Sequence, residues 1–284
     1  MINATKQSVG IVGCGWLGTA LATNLQQDNI DVFATTTSVE KQNKLSALTI
    51  KNELLTLPAS FEQLANKQVF KQAQLVICIT PQLKYGKKDY AQKIANIVDA
   101  ANQHQVQHLI LISSSAVYGG LTGKIAEDAQ LDLHAEKVAA LVAAEQTLSQ
   151  FSGSKTILRL TGLVGEDRHP GRFLAGKTAL SNANIAVNMI HQTDAVAMIR
   201  CLLNNPSDVQ QLAIYNGCSN THVSRKEFYR KAARAINATP PEFVLDDNSN
   251  KGKIIITNKI QEKHNYQLVY PDLLAWLDEK VKQE

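Results

Sequence analysis

The chain has 284 residues, of which 44% are hydrophobic and 19% charged, and its 29 Lys+Arg against 25 Asp+Glu give a formal charge of +4. That length suits one large α/β domain or two smaller ones, at roughly 100–200 residues each. The excess charge is interspersed with no basic run, which argues against a nucleic-acid partner, and no apolar stretch nears the ~20 residues of a membrane span.

Val9–Val12 predicts a first strand, and Thr19–Gln26 predicts the helix after it. Asp31–Thr35 predicts a second strand, Val39–Leu48 a helix, Glu53–Leu57 a third strand and Phe61–Phe70 a weak helix. Leu75–Ile79 is continuously apolar, as in a parallel strand covered on both faces. Tyr90–Gln103 places Ile94, Ile97, Val98 and Ala101 on one helical face. His108–Ile112 predicts another buried strand, His134–Ser149 a helix and Thr156–Leu160 a sixth strand. This strand–helix alternation implies a doubly wound parallel α/β sheet with right-handed crossovers. Past Leu160 the rhythm changes. Thr193 and Asp194 predict an N-cap before a helix over Ala195–Leu203, Leu212–Tyr215 a strand, and Ser224–Ile236 a helix with a Ser224/Glu227 capping box. Ile254–Ile256 and Trp276–Val281 predict a last strand and a last helix. The expected division is a domain over 1–160 and a smaller lobe over 161–284, some of whose segments return to the first.

Between the first strand and its helix stands Gly13-x-Gly15-x-x-Gly18. Strand, glycines and helix in that order are the dinucleotide-binding fingerprint in its required context. Gly13 permits the turn off the strand, Gly15 lets the backbone approach a pyrophosphate, and Gly18 lets helix and strand pack closely. The helix start offers N–H groups and a positive dipole end to the anion, with Trp16 and Leu17 in its first turn. Where NAD-selective sites place an acid, the end of the second strand reads Ala34-Thr-Thr-Thr-Ser38. Thr35, Thr36 and Thr37 are therefore cofactor candidates that favour NADP, with Lys41 or Lys44 assisting and NAD as the alternative. Thr80 and Pro81, after the Leu75–Ile79 strand, and Ser113 complete the candidate cofactor set.

Ser113-Ser-Ser-Ala-Val-Tyr-Gly119 follows a buried strand, and Arg159-Leu-Thr-Gly-Leu-Val-Gly165 and Asn188-Met-Ile-His-Gln-Thr-Asp194 come later. With the glycine motif and Tyr215-Asn216, these segments resemble the extended short-chain dehydrogenase/reductase superfamily, the epimerase/dehydratase-like branch, over nearly the whole chain. The resemblance implies a Rossmann-type fold with a smaller C-terminal substrate lobe, and a catalytic serine at Ser114. The glycine spacing and Arg168-His-Pro-Gly-Arg-Phe-Leu-Ala-Gly-Lys177 resemble an atypical subgroup of it.

One departure bears on chemistry. The superfamily's acid/base is a Tyr-x-x-x-Lys, whose lysine lowers the tyrosine pKa. No such pair occurs in this chain, and the matching segment, Leu133–Glu145, contains no tyrosine. His134 and Tyr118 are the candidate replacements, with solvent exposure and packing, respectively, as the plainer readings; Lys137 lies near His134. Arg168, His169, Arg172 and Lys177 form a basic loop able to clamp a phosphate or carboxylate. His191 and Asp194 read as an architectural hydrogen-bonder and a helix cap. Cys14, Cys78, Cys201 and Cys218 lack metal spacing, so no metal is expected. With the first strand so near the N-terminus, no export signal is expected, and reduced thiols in the cytoplasm follow. Two readings stay open: a redox enzyme acting on a small polar or phosphorylated substrate, and a dinucleotide-binding sensor or partner-binding protein without turnover.

Overall fold

The computed structural model describes residues 7–244 and 252–281. β1 (Ser8–Val12) enters α1 (Trp16–Gln27) through the glycine turn, followed by β2 (Asp31–Thr36), α2 (Val39–Ala47) and β3 (Lys51–Leu54). Next come α3 (Phe61–Ala65), β4 (Gln74–Ile77), α4 (Tyr90–Gln103) and β5 (His108–Ser114). Then follow β6 (Gly123–Ile125), α5 (Glu136–Gln146), β7 (Ser154–Leu160), β8 (Gly162–Val164), α6 (Gly171–Leu174) and β9 (Met189–His191). The chain closes with α7 (Gln192–Asn204), β10 (Leu212–Gly217), α8 (Arg225–Arg234), β11 (Lys253–Ile255), α9 (Asn258–His264) and α10 (Leu273–Val281).

Seven strands form one sheet in the order β10-β7-β5-β4-β1-β2-β3. β1 lies between β2 and β4 and runs parallel to both, with Ile11 opposite Ala34 on one side and Val76 on the other. The chain winds outward from β1 through β2 and β3, then restarts across β1 with β4. The carboxyl ends of β1 and β4 therefore flank the point where strand order reverses, which is where doubly wound sheets bind ligands. The continuously apolar strands are buried as expected: Leu75, Val76, Ile77, Leu109, Ile110 and Leu111 are all 0% exposed. Ile94, Ile97, Val98 and Ala101 line the buried stripe of α4, as a 3.6-residue period demands. This is the Rossmann-type α/β fold that the alternation predicts.

The chain divides into two compact units. The first takes in the chain up to Val117, Leu133–Arg159 and Val196–Tyr215; the second takes in Tyr118–Asp132, Leu160–Ala195 and the chain from Asn216. One break falls beside the expected boundary at 160. The 118–132 segment departs from that division because its β6 pairs with β11, Gly123 opposite Lys253. The 196–215 segment belongs to the first unit: β10 extends the main sheet, and Arg200 donates to Asn24 and Asp28 at the end of α1. Within the second unit β8 pairs with β9, and Val164, Val187, Phe228, Ala232, Leu273, Trp276 and Leu277 make its core.

Some element boundaries differ from expectation. β3 runs Lys51–Leu54, not Glu53–Leu57, because its partner β2 ends at Thr36, opposite Leu54. The Phe61–Phe70 helix is one turn of α-helix and then a 3-10 turn over Gln68–Lys71. α7 starts at Gln192, two residues before Asp194, so Asp194 lies inside its first turn and is not its cap.

Candidate functional site

The glycine loop is built by backbone constraints. Gly13 adopts φ +90°, and a Cβ there would lie 2.7 Å from Ile79 Cγ2. Both the left-handed conformation and the crowding exclude other residues. At Gly18 a Cβ would lie 3.1 Å from the Gly13 carbonyl oxygen, so a side chain would push α1 off the turn. Gly15 differs from both. It is the N-cap of α1 in an extended conformation, it is exposed, and a Cβ there would meet nothing within 4 Å. The protein leaves that space clear beside a helix start whose first-turn N–H groups have no intrahelical partners. A dinucleotide pyrophosphate fits these features: bare backbone to approach and a positive helix end to meet its charge. Leu17 is buried and Trp16 half-buried at the start of α1, so of this pair Leu17 serves the core. Cys14 fills the turn: it is 4% exposed, and burial pushes its thiol up to about 11, far from the thiolate a reactive cysteine needs.

At the end of β2 the three threonines separate into different environments. Thr35 is 2% exposed, and its hydroxyl accepts the Gly13 N–H at 3.1 Å. Thr36 is 4% exposed, and its hydroxyl oxygen is closed off without a hydrogen-bond partner. Neither can reach a ribose phosphate as the sequence reading expected, because the strand is still buried at both positions. Thr37 is exposed and Ser38, which caps α2, is half-buried. Lys44 pairs with Glu40 at 2.7 Å, while Lys41 stands exposed in the first turn of α2. After β4, Thr80 is exposed and Pro81 half-buried.

At the end of β5 the adjacent serines differ. Ser113 donates to Glu145 Oε1 at 2.6 Å, and Glu145 accepts from Arg159 through three contacts of 2.7–3.3 Å. Arg159 and Glu145 are each 4% exposed. The Ser113 hydroxyl is thus committed to a buried ion pair, which corrects its reading as a cofactor ligand. Burial and the nearby Glu145 carboxylate push the Tyr90 phenol well up from its usual value. Glu145 and Arg159 were not singled out from the sequence. The available signal was a charge near the end of an apolar run in each element, Glu145 after Val138–Ala144 and Arg159 after Ile157–Leu158. Ser114, the last residue of β5, is half-buried, and its oxygen accepts the Ala116 N–H at 3.2 Å. That bond uses the serine as an acceptor and leaves its proton to donate.

The two replacement acids fare differently. Tyr118 is 0% exposed and its phenol donates to Asn216 Oδ1 at 2.8 Å. Its candidacy as a proton donor is corrected, because reaching a substrate would break a buried bond. His134 lies exposed just ahead of α5, as does Lys137 in its first turn.

The basic loop lies within the second unit. Arg168, Arg172 and Lys177 are exposed, and the Arg168 guanidinium sits 5.7 Å from the Phe173 ring centroid. His169 is not part of that surface. It is 4% exposed, its Nδ1 accepts the Gly171 N–H at 3.1 Å, and its ring lies 5.4 Å from Trp276. Its reading as a substrate ligand is corrected to a packing one, and a Cβ on Gly171 beside it would collide with the Ala232 carbonyl of α8, so this turn packs directly on that helix. His191 is architectural as expected, 4% exposed between Tyr270 and Trp276, with Nδ1 accepting the Thr193 N–H. Asp194 accepts from Tyr266 Oη, Val269 N–H and Tyr270 N–H, so it holds the segment after α9.

A family model described as NAD(P)H-binding matches residues 13–205. The chain belongs to this NAD(P)H-binding family. Protein YeeZ of Escherichia coli (strain K12) is 33% identical over 273 residues, spanning 95% of this chain and 98% of that protein. Among solved structures, UDP-N-acetylglucosamine 4-epimerase from Bacillus cereus superposes with a TM-score of 0.77 at 15% identity, covering 98% of this chain and 99% of that one. UDP-glucose-4-epimerase from Stenotrophomonas maltophila, solved with bound NAD, gives 0.77 at 14% identity over 98% and 97% of the two chains. The family model makes a nicotinamide dinucleotide the cofactor class, and the two epimerase structures share the Rossmann-type fold of this chain. Among the described residues no helix is long and apolar enough to cross a membrane, and no cluster of His, Cys, Asp or Glu could hold a metal ion.

Proposed function

We propose that the protein binds NADP(H) on the glycine loop of its first unit and acts as an oxidoreductase or epimerase/dehydratase-type enzyme on a small polar or phosphorylated substrate. The observation that carries this reading is the clear space off Gly15 at the start of α1. Ser114 is the hydroxyl that orients a reacting carbonyl or alcohol, since its proton is left to donate. Within the second unit, Arg168, Arg172 and Lys177 are exposed cations suited to holding an anionic group. NADP is favoured over NAD because Thr37-Ser38 carries no carboxylate to repel a 2′-phosphate, and Lys41 follows on α2. The four cysteines are free thiols, which supports a reducing, cytoplasmic setting.

A second reading, binding without turnover, is favoured by one observation: Tyr118, the tyrosine nearest Ser114 in sequence, is buried on Asn216. The deciding experiment is calorimetric titration with NADPH and NADH, followed by a panel of carbonyl and sugar-phosphate substrates monitored by NADPH absorbance. The enzyme reading expects NADPH binding and a Ser114→Ala-sensitive turnover of some member. Binding with no turnover at any pH supports the second reading, and no binding of either dinucleotide overturns both.

A further inference from the structure

We propose that Thr35 is the positioning residue of the dinucleotide loop, setting the conformation in which α1 offers its N–H groups to the pyrophosphate. The proposal rests on the reading of that loop as the dinucleotide site. Beyond Val12 the β1 ladder cannot continue, because Gly13 turns to φ +90°. Thr35 takes up two consecutive donors there: its hydroxyl accepts the Gly13 N–H at 3.1 Å and its carbonyl accepts the Cys14 N–H at 2.8 Å. The Gly15 N–H is used as well, donating to the Gly13 carbonyl at 2.8 Å. All three N–H groups of the turn are therefore spent inside the protein. Contact with an anion falls to the first turn of α1 and to the bare face of Gly15.

The other flank of the turn is fixed by β4. The Cys78 N–H donates to the Val12 carbonyl at 2.8 Å, and Ile79 crowds Gly13. The loop is thus clamped between β2 and the end of β4, and the Thr35 hydroxyl ties Gly13 to the β2 side of the clamp. At 2% exposure Thr35 cannot itself touch a ligand, so it acts through Gly13. Its two neighbours in sequence do neither job: Thr36 is closed off, and Thr37 faces solvent where the ribose end would lie. A hydroxyl at position 35 is what the clamp requires. Valine has threonine's shape without the acceptor, and serine keeps the acceptor without the methyl.

The experiment compares wild type, Thr35→Val and Thr35→Ser by calorimetric titration with NADPH, NADH and ADP-ribose, with thermal unfolding and amide exchange at Gly13 read alongside. The expected result is at least a tenfold loss of affinity in Thr35→Val for all three ligands, with the NADPH/NADH ratio unchanged. The Gly13 amide should exchange faster in that variant, and Thr35→Ser should restore affinity to within about threefold of wild type. A purely structural threonine would lower the melting temperature yet leave the folded protein's affinity intact. Thr35→Val binding within twofold of wild type overturns the proposal, as does Thr35→Ser losing as much as Thr35→Val. If wild-type protein binds none of the three ligands, the dinucleotide reading itself fails.

Discussion

Tyr118 and Asn216 are bonded through side chains that are both 0% exposed, the phenol donating to Oδ1 at 2.8 Å. Asn216 is otherwise saturated: its amide donates to the Ile256 carbonyl, its N–H to Glu127, and its carbonyl accepts from Thr257. Tyr118 therefore belongs to the internal scaffold of the second unit. Tyr118→Phe should leave Asn216 Oδ1 without its partner and cost about 1–3 kcal/mol. Urea denaturation checks the cost. Affinity for NADPH, measured below the unfolding transition, should stay within twofold of wild type; a tenfold change would return Tyr118 to the site.

Gly13 and Gly15 make opposite predictions although two residues apart. Gly15→Val places its side chain in clear space, so the fold should survive while dinucleotide binding is abolished. Gly13→Ala meets a φ of +90° and a 2.7 Å contact with Ile79, and should destabilise by more than about 1 kcal/mol. Thermal melts and calorimetric titration of the two variants separate these effects. Unimpaired NADPH binding by Gly15→Val would remove the pyrophosphate from this loop.

Cofactor selectivity should be read at Thr37. Thr37→Asp puts a carboxylate at the exposed end of β2 and should weaken NADPH at least tenfold, about 1.4 kcal/mol, with NADH little affected. Thr36→Asp, by contrast, buries a charge at a 4% exposed position and should reduce stability before it alters selectivity. Dissociation constants for both dinucleotides and melting temperatures for both variants test the contrast.

Acidification should destabilise the first unit through His108. Burial lowers this imidazole from 6.5 to about 4, and its Nε2 lies 3.2 Å from Thr156 Oγ1. The folded state holds it neutral while the unfolded chain takes up a proton below pH 6.5. The stability it contributes is full above 6.5 and is lost as pH falls toward 4, at up to about 1.4 kcal/mol per unit. His222 and His264 are also lowered by burial and act in the same direction. His108→Gln should flatten stability against pH between 6.5 and 4. An unchanged slope would show that His108 does not carry the acid sensitivity.

The division between legible and hidden features runs through single loops. Gly13, Gly15 and Gly18 were readable because what they supply is local: a positive φ, an uncovered backbone and a close helix–strand approach. The apolar runs of β4, β5 and α4 were readable for the same reason, since their periodicity reports which faces are covered. Side-chain roles beside them were not. Ser113 and Ser114 read alike in sequence, yet one is spent on Glu145 and the other keeps its proton. Thr35, Thr36 and Thr37 read as one hydroxyl-rich stretch, yet clamp, closed core and solvent divide them.

The sequence by itself determined the alternating α/β pattern, the dinucleotide fingerprint and the absence of a Tyr-x-x-x-Lys pair, because each depends on residues near one another in the chain. Tertiary structure alone decided which polar groups are available. Tyr118 is committed by Asn216, His169 is packed on Trp276, and Glu145 is paired with Arg159, each by a partner from another element. A hydroxyl, imidazole or carboxylate carries the same chemistry in either setting. Burial makes an unmet hydrogen bond or charge costly, so the partner brought by the fold fixes what the group does.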